Sequence, residues 1–204
     1  MKKMPDTVLI VDVESTCWER PNEQPPHQKN DIIEIGVVPL SLLNLTIGKA
    51  KNIIVKPTTS KVSKFCTRLT GLTQKEVDAG MSFKDACKKL VSESDTQKIP
   101  WVSWTDYEPK QFKWQCAAEK VAYPFGAGHW SFSDTFAKTM GLEHDVGLIA
   151  ALKVMGMQFE GTHHRGRWDA LNIAKLMVEY CRRLRGHYGK EVRKESASKE
   201  VEEK

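Results

Sequence analysis

The first apolar run, Thr7-Val-Leu-Ile-Val-Asp-Val-Glu-Ser-Thr16, is dense in β-branched and aliphatic residues, as expected of a strand covered on both faces. Cys17 to Asn30 is polar, carries Pro21, Pro25 and Pro26, and reads as a loop. Asp31-Ile-Ile-Glu-Ile-Gly-Val-Val-Pro39 is a second strand, and Leu45 to Val55 a third that Lys56-Pro57 closes. The links are short and polar or glycine-containing, so these strands form an antiparallel meander. Leu69-Thr-Gly71 ends a short helical turn, and Thr73-Gln-Lys-Glu76 is a capping box opening a helix that stops at Gly80. Ser82-Phe-Lys-Asp85 opens another, with Phe83, Ala86, Cys87, Leu90 and Val91 at helical spacing.

The pattern then alternates. Ile99 to Trp104 is a fourth strand running into Asp106, and Glu108 to Val121 a helix with Phe112, Cys116 and Ala117 inward. Trp130-Ser-Phe-Ser-Asp134 is a short fifth strand. Asp145 caps a helix through Leu148, Ile149, Leu152, Val154 and Met155, stopped by Gly156. Gly161 to Arg167 is a basic, glycine-containing loop, and the last helix starts near Trp168 with Ile173, Ala174, Met177, Val178 and Cys181 inward. From Gly186 the chain is rich in Lys, Glu and Ser with little to bury, so residues 186–204 are expected to form a disordered tail. The whole reads as one α/β domain over residues 1–185, a mixed sheet flanked by helices.

At 204 residues the chain suits one such domain, and 40% hydrophobic with 28% charged residues is ordinary for a globular protein. No apolar run approaches the ~20 residues that span a bilayer. Met-Lys-Lys-Met-Pro-Asp leads straight into the first strand without a signal-peptide core, so no membrane association and a cytoplasmic setting are expected. The five cysteines are scattered and contain no C-x-x-C, which argues for reduced thiols over a disulfide framework or a zinc site. A net charge of +5 is compatible with a polyanionic partner without requiring one.

The chemistry enters where acids break the apolar pattern. Asp12 and Glu14 stand at i and i+2 on the first strand, side by side on one face. Adjacent like charges at the end of a buried strand are unfavourable unless a cation neutralises them or the strand end is solvated. Asp106 marks where the fourth strand leaves the sheet, and Asp169 lies in the first turn of the last helix. Taken singly, Asp106 also suits the start of a turn and Asp169 the positive end of a helix. Together with a histidine of Gly161-Thr-His-His-Arg-Gly-Arg-Trp-Asp169, these acids suit metal-assisted phosphodiester hydrolysis. Mg²⁺ prefers oxygen ligands, an ion pair ~3.5–4 Å apart stabilises both attacking and leaving oxygens, and a histidine takes the proton from water. His27, His129, His144 and His187 have no such setting. Trp101, Trp104 and Trp114 read as core before base-stacking platforms, and Arg165 with Arg167 fits either a phosphate grip or a solvated loop.

The succession Asp12-x-Glu14, Asp106, His164 and, five positions on, Asp169 resembles the DEDDh superfamily of 3′–5′ exonucleases. It is most similar to the Eri-type exoribonuclease branch, which includes the histone-mRNA 3′ exonuclease. The supporting phrases are Val11-Asp-Val-Glu-Ser-Thr-Cys17, Ile32-Ile-Glu-Ile-Gly36, Phe65-Cys-Thr-Arg-Leu-Thr-Gly-Leu-Thr-Gln74, Ser103-Trp-Thr-Asp106, and Gly161 through Asn172-Ile-Ala174. They run in order over roughly residues 6 to 184.

The resemblance implies an RNase H-like fold whose five-stranded mixed sheet begins with three antiparallel strands. It implies that Asp12, Glu14, Asp106 and Asp169 ligate two Mg²⁺ ions, with Mn²⁺ able to substitute, and that His164 is the general base. The five-residue step to Asp169 picks His164 over His163. Glu14, Ser15, Thr16 and His164 resemble positions near the terminal nucleotide, and Leu69-Thr70-Gly71 the turn that lines its base pocket. The implied reaction releases nucleoside 5′-monophosphates from single-stranded 3′-hydroxyl ends, of RNA before DNA. A DNA-directed proofreading or repair exonuclease is the alternative, followed by a non-catalytic nucleic-acid-binding module. Trp168 stands where such proteins often carry a second acid, which touches the loop's substrate contacts more than its metal ligand. With eleven residues ahead of Asp12, an additional N-terminal nucleic-acid domain is not expected.

Overall fold

The computed structural model describes residues 5–126 and 128–202, with side chains described as far as Gly186. The expected disordered tail coincides with the last part of the C-terminal helix, which runs to Glu202, and its side chains beyond Gly186 lie outside the described set. The chain runs through β1 (Thr7–Ser15), β2 (Ile32–Ser41), β3 (Thr46–Ile47), β4 (Lys51–Ile54), α1 (Lys64–Thr70), α2 (Gln74–Asp78) and α3 (Phe83–Ser94). It continues with β5 (Trp101–Ser103), α4 (Tyr107–Glu119), β6 (His129–Ser131), α5 (Phe132–Met140), α6 (Leu148–Val154) and α7 (Gly166–Glu202).

β1 is the middle of the sheet, antiparallel to β2 on one side and parallel to β5 on the other. β6 continues the parallel half beyond β5, while β3 and β4 both pair antiparallel with β2. The expected third strand is thus present but split, which turns a five-lane sheet into a six-stranded one. Its break falls opposite Pro39, whose carbonyl accepts from Gly48 N at 2.8 Å. A residue's N–H and C=O share one side of a strand, so the donor that Pro39 lacks is missing on this same edge. The capping box at Thr73 and the Ser82 cap on Asp85 N form as the sequence predicts. Gly71, at φ 74°, ends α1 in the left-handed conformation glycine accepts without strain. Two segments differ: Asp145 does not cap α6, whose N-terminal cap is Gly147, and the expected fifth strand is cut short. The fifth strand stops at Ser131, and Phe132, Phe136 and Ala137 instead lie on the buried face of α5.

Side chains of β1 alternate between two cores. Leu9, Val11 and Val13 pack with Phe83, Leu90, Phe112 and Trp101 beneath α3 and α4. Val8 and Ile10 pack with Phe136, Leu152, Ile173 and Met177 of α5, α6 and α7. Asp12 and Glu14 extend this second row, so they leave the sheet on the α7 side. Trp101 and Trp104 are core residues, while Trp114 is partly exposed on α4.

Candidate active site

The carboxylate pair on β1 meets the start of α7 through backbone contact. Gly36 of β2 pairs with Asp12, and a Cβ on it would stand 2.0 Å from Gly166 O. A Cβ on Gly166 would in turn come within 3.0 Å of Gly36 N and 3.2 Å of Asp12 O. Only a glycine-on-glycine crossing lets the helix sit this low, and it brings the first turn of α7 down onto the acidic end of β1.

Asp12, Glu14 and Asp169 converge there, with ligand oxygens all within 4.8 Å of one another. Glu14 and Asp169 are buried and Asp12 is partly open. Burial raises the Asp12 carboxyl well above its usual range, helped by Glu14, Glu108, Asp169 and Glu34. Glu14 is pushed up to about 9 by burial and by the charges of Asp169 and Glu34. Asp169 rises to about 7 through burial, restrained by backbone N–H groups of Arg165 and His164. Packed oxygen ligands that resist ionisation without a counter-charge are what a hard divalent cation relieves, so the donor set fits such an ion.

Asp106 does not join them. It is exposed at the N-terminal end of α4, and its side chain caps nothing there. Glu108, two residues on, is buried, and its charge bears on both Asp12 and Glu14. Burial pushes its carboxyl up to about 7, against the hydroxyls of Ser103 and Thr105. The signal was present in the sequence: Glu108 precedes the inward-facing Phe112 by four positions, so it occupies the core stripe of its helix. Glu34 was hidden in the same way, an acid in the midst of Ile32-Ile-Glu-Ile-Gly36.

His164 takes φ 60°, a left-handed conformation that few non-glycine residues adopt. Its ring lies 3.9 Å, centroid to centroid, from that of His163. His163 Nε2 stands 3.4 Å from Asp169 Oδ1, so both histidines border the cluster and His163 is the one in contact. Burial holds both imidazoles below their ordinary value. Trp168 packs against Gly161 and under the Arg167 guanidinium, 4.7 Å from its ring centroid, bracing the loop.

Among the substrate positions, the Ser15 hydroxyl is buried and interacts with the half-exposed Tyr107 phenol. The Thr16 hydroxyl is taken up by Ser60, Lys29 O and Asp31 N, and the Thr70 hydroxyl by Cys66 O and Leu72 N. Leu69 and Gly71 remain accessible at the end of α1.

The profile of the exonuclease family RNase_T matches residues 9–177. The chain belongs to that family. It is 28% identical to the human "ERI1 exoribonuclease 2", over 89% of this chain and 29% of that protein. To the rat "3'-5' exoribonuclease 1" it is 31% identical, over 85% of this chain and 52% of that one. The chain thus spans from under a third to about half of these relatives. A solved structure of the nuclease domain of 3'hExo, described as a DEDDh family member bound to rAMP, superposes with a TM-score of 0.76 at 28% identity, covering 85% and 90% of the two chains. The likeness to DEDDh exonucleases of the Eri type and the RNase H-like architecture expected from the motifs are both borne out.

Proposed function

We propose that this chain is a metal-dependent 3′–5′ exonuclease that shortens single-stranded RNA in preference to DNA and releases nucleoside 5′-monophosphates. The observation that carries this reading is the convergence of Asp12, Glu14 and Asp169 within 4.8 Å, in a family of exonucleases. Asp12, Glu14 and Asp169 would hold Mg²⁺, or Mn²⁺ in its place, and Glu108 is better placed than Asp106 to be the fourth carboxylate of a two-ion site. Bound there, the ions supply Lewis-acid stabilisation of the charge that develops on the scissile phosphate. His164, whose imidazole burial holds below its ordinary value, takes the proton from the attacking water at a ring nitrogen. Ser15 offers its hydroxyl to the 3′ end, and Tyr107 beside it, with Leu69 and Gly71, gives the terminal base a surface. RNA preference rests on the exoribonuclease relatives. Among the described residues no helix is long and apolar enough to cross a membrane. The five unpaired cysteines support a reducing compartment such as the cytoplasm.

The test uses 5′-labelled single-stranded RNA and DNA of one sequence, with Mg²⁺ or Mn²⁺. Stepwise shortening from the 3′ end is expected, faster on RNA. Asp12→Asn should cut the rate by more than the about 10–100-fold that loss of an outer-shell partner costs. No metal-dependent shortening of either polymer sinks the enzyme reading, and faster cleavage of DNA sinks the RNA preference.

A further inference from the structure

Glu34 is fully buried in mid-strand and lies directly across the ladder from Glu14. A carboxylate so placed needs partners, and it has four. Arg165 Nε donates to its two oxygens at 3.1 and 3.2 Å, and Arg165 Nη2 donates at 2.9 Å. Gly166 N and Asn52 Nδ2 each donate at 2.8 Å. The guanidinium, one of two candidate phosphate grips in the loop, is thus turned inward, while Arg167 stays at the surface.

The backbone of the same arginine serves the reaction site. Arg165 N donates to Asp169 Oδ2 at 2.9 Å, and the preceding residue is His164 in its left-handed conformation. One residue therefore ties the metal ligand, the base and the sheet together. We propose that Glu34 and Arg165 are positioning residues of the nuclease: their ion pair fixes His164 and Asp169 in register with Asp12 and Glu14. This inference rests on the exonuclease reading of the site. The left-handed conformation carries a steric cost for any residue with a Cβ, so at His164 it is held by what flanks it. Fixing register is the best-attested use of a buried ion pair, and a misplacement of about 1 Å at a reacting group costs on the order of 100-fold in rate. A lysine at 165 supplies the charge without the fork that engages both carboxylate oxygens.

Four variants of the full chain test this on single-stranded RNA in Mg²⁺: Arg165→Lys, Arg165→Met, Glu34→Gln, and Glu34→Gln with Arg165→Met. Thermal unfolding is recorded alongside kcat and KM. Arg165→Met should lose about 100-fold in kcat with KM within about 3-fold, and Arg165→Lys should recover part of that loss. The double variant leaves no unpaired buried charge, so it should unfold within a few degrees of the parent and still be slow. The proposal is overturned if the folded double variant regains kcat within about 3-fold of the parent, because the pair is then only structural. It is equally overturned if KM carries the loss in Arg165→Met, because the arginine then grips substrate. An inactive parent chain on both RNA and DNA refutes the exonuclease reading itself.

Discussion

The carboxylate cluster should make the metal-stripped protein less stable as pH rises. Glu14 keeps its proton in the folded state to about 9, whereas in the unfolded chain it ionises near the ordinary 4.5. Folding therefore takes up a proton between those values, and each pH unit in that span costs about 1.4 kcal/mol. Between about pH 6.5 and 8 the loss from Glu14 alone is about 2 kcal/mol, or roughly 4–8 °C in Tm for a chain of this size. Asp169 and Glu108, each raised to about 7, add in the same sense through the lower part of the window. His163 and His164 act oppositely, because burial depresses them, but their unfolded forms charge only below about pH 6.5. Cys66, drawn down to about 7 by its hydrogen bond with Cys17, also opposes the trend. Calorimetry in EDTA should compare the parent with Glu14→Gln, since the cysteine contribution is common to both and cancels. The parent should lose several degrees more than Glu14→Gln between these pH values, and millimolar Mg²⁺ should stabilise it most at the upper end. Equal slopes for the two proteins would show that Glu14 is ionised in the folded state and that the cluster is not under the strain described.

Two further perturbations probe how the site is assembled. Gly36→Ala places a methyl 2.0 Å from the Gly166 carbonyl, so it should lower stability by about 3 kcal/mol or more and abolish activity, read by urea unfolding and RNA cleavage. Glu108→Gln should reduce cleavage by about 100-fold or more while Asp106→Asn stays within about 3-fold, and the reverse order in a gel assay would return the fourth carboxylate to Asp106.

Periodicity was enough for most of the scaffold, because β1, β2 and α7 each carry an apolar face that agrees with the layer covering it. It failed where one residue's environment overrode its segment. Phe132 continues an apparently extended Trp-Ser-Phe run, yet its spacing to Phe136 and Ala137 serves a helix that packs on Tyr180. The site was legible at Asp12 and Glu14 because two adjacent acids at the end of a buried strand call for a counter-charge, and at Asp169 through the motif that also carries His164. Asp106 and Glu108 lie two positions apart at the entry to one helix. Motif resemblance points at the first, and only the direction in which the helix starts decides which carboxylate turns inward. Glu34 stands inside the Ile32–Gly36 motif, and nothing local in a strand reveals its arginine partner 131 positions away.

The meeting of β1 with the first turn of α7 also sets when during synthesis the carboxylate cluster can form. Its two halves emerge from the ribosome nearly a whole domain apart, and long-range closures of this kind form late in folding. Until α7 has docked, the acids of β1 have no Asp169 beside them and Glu34 has no arginine. A chain that ends before α7 therefore carries Asp12 and Glu14 without their third carboxylate, and the cation site cannot close.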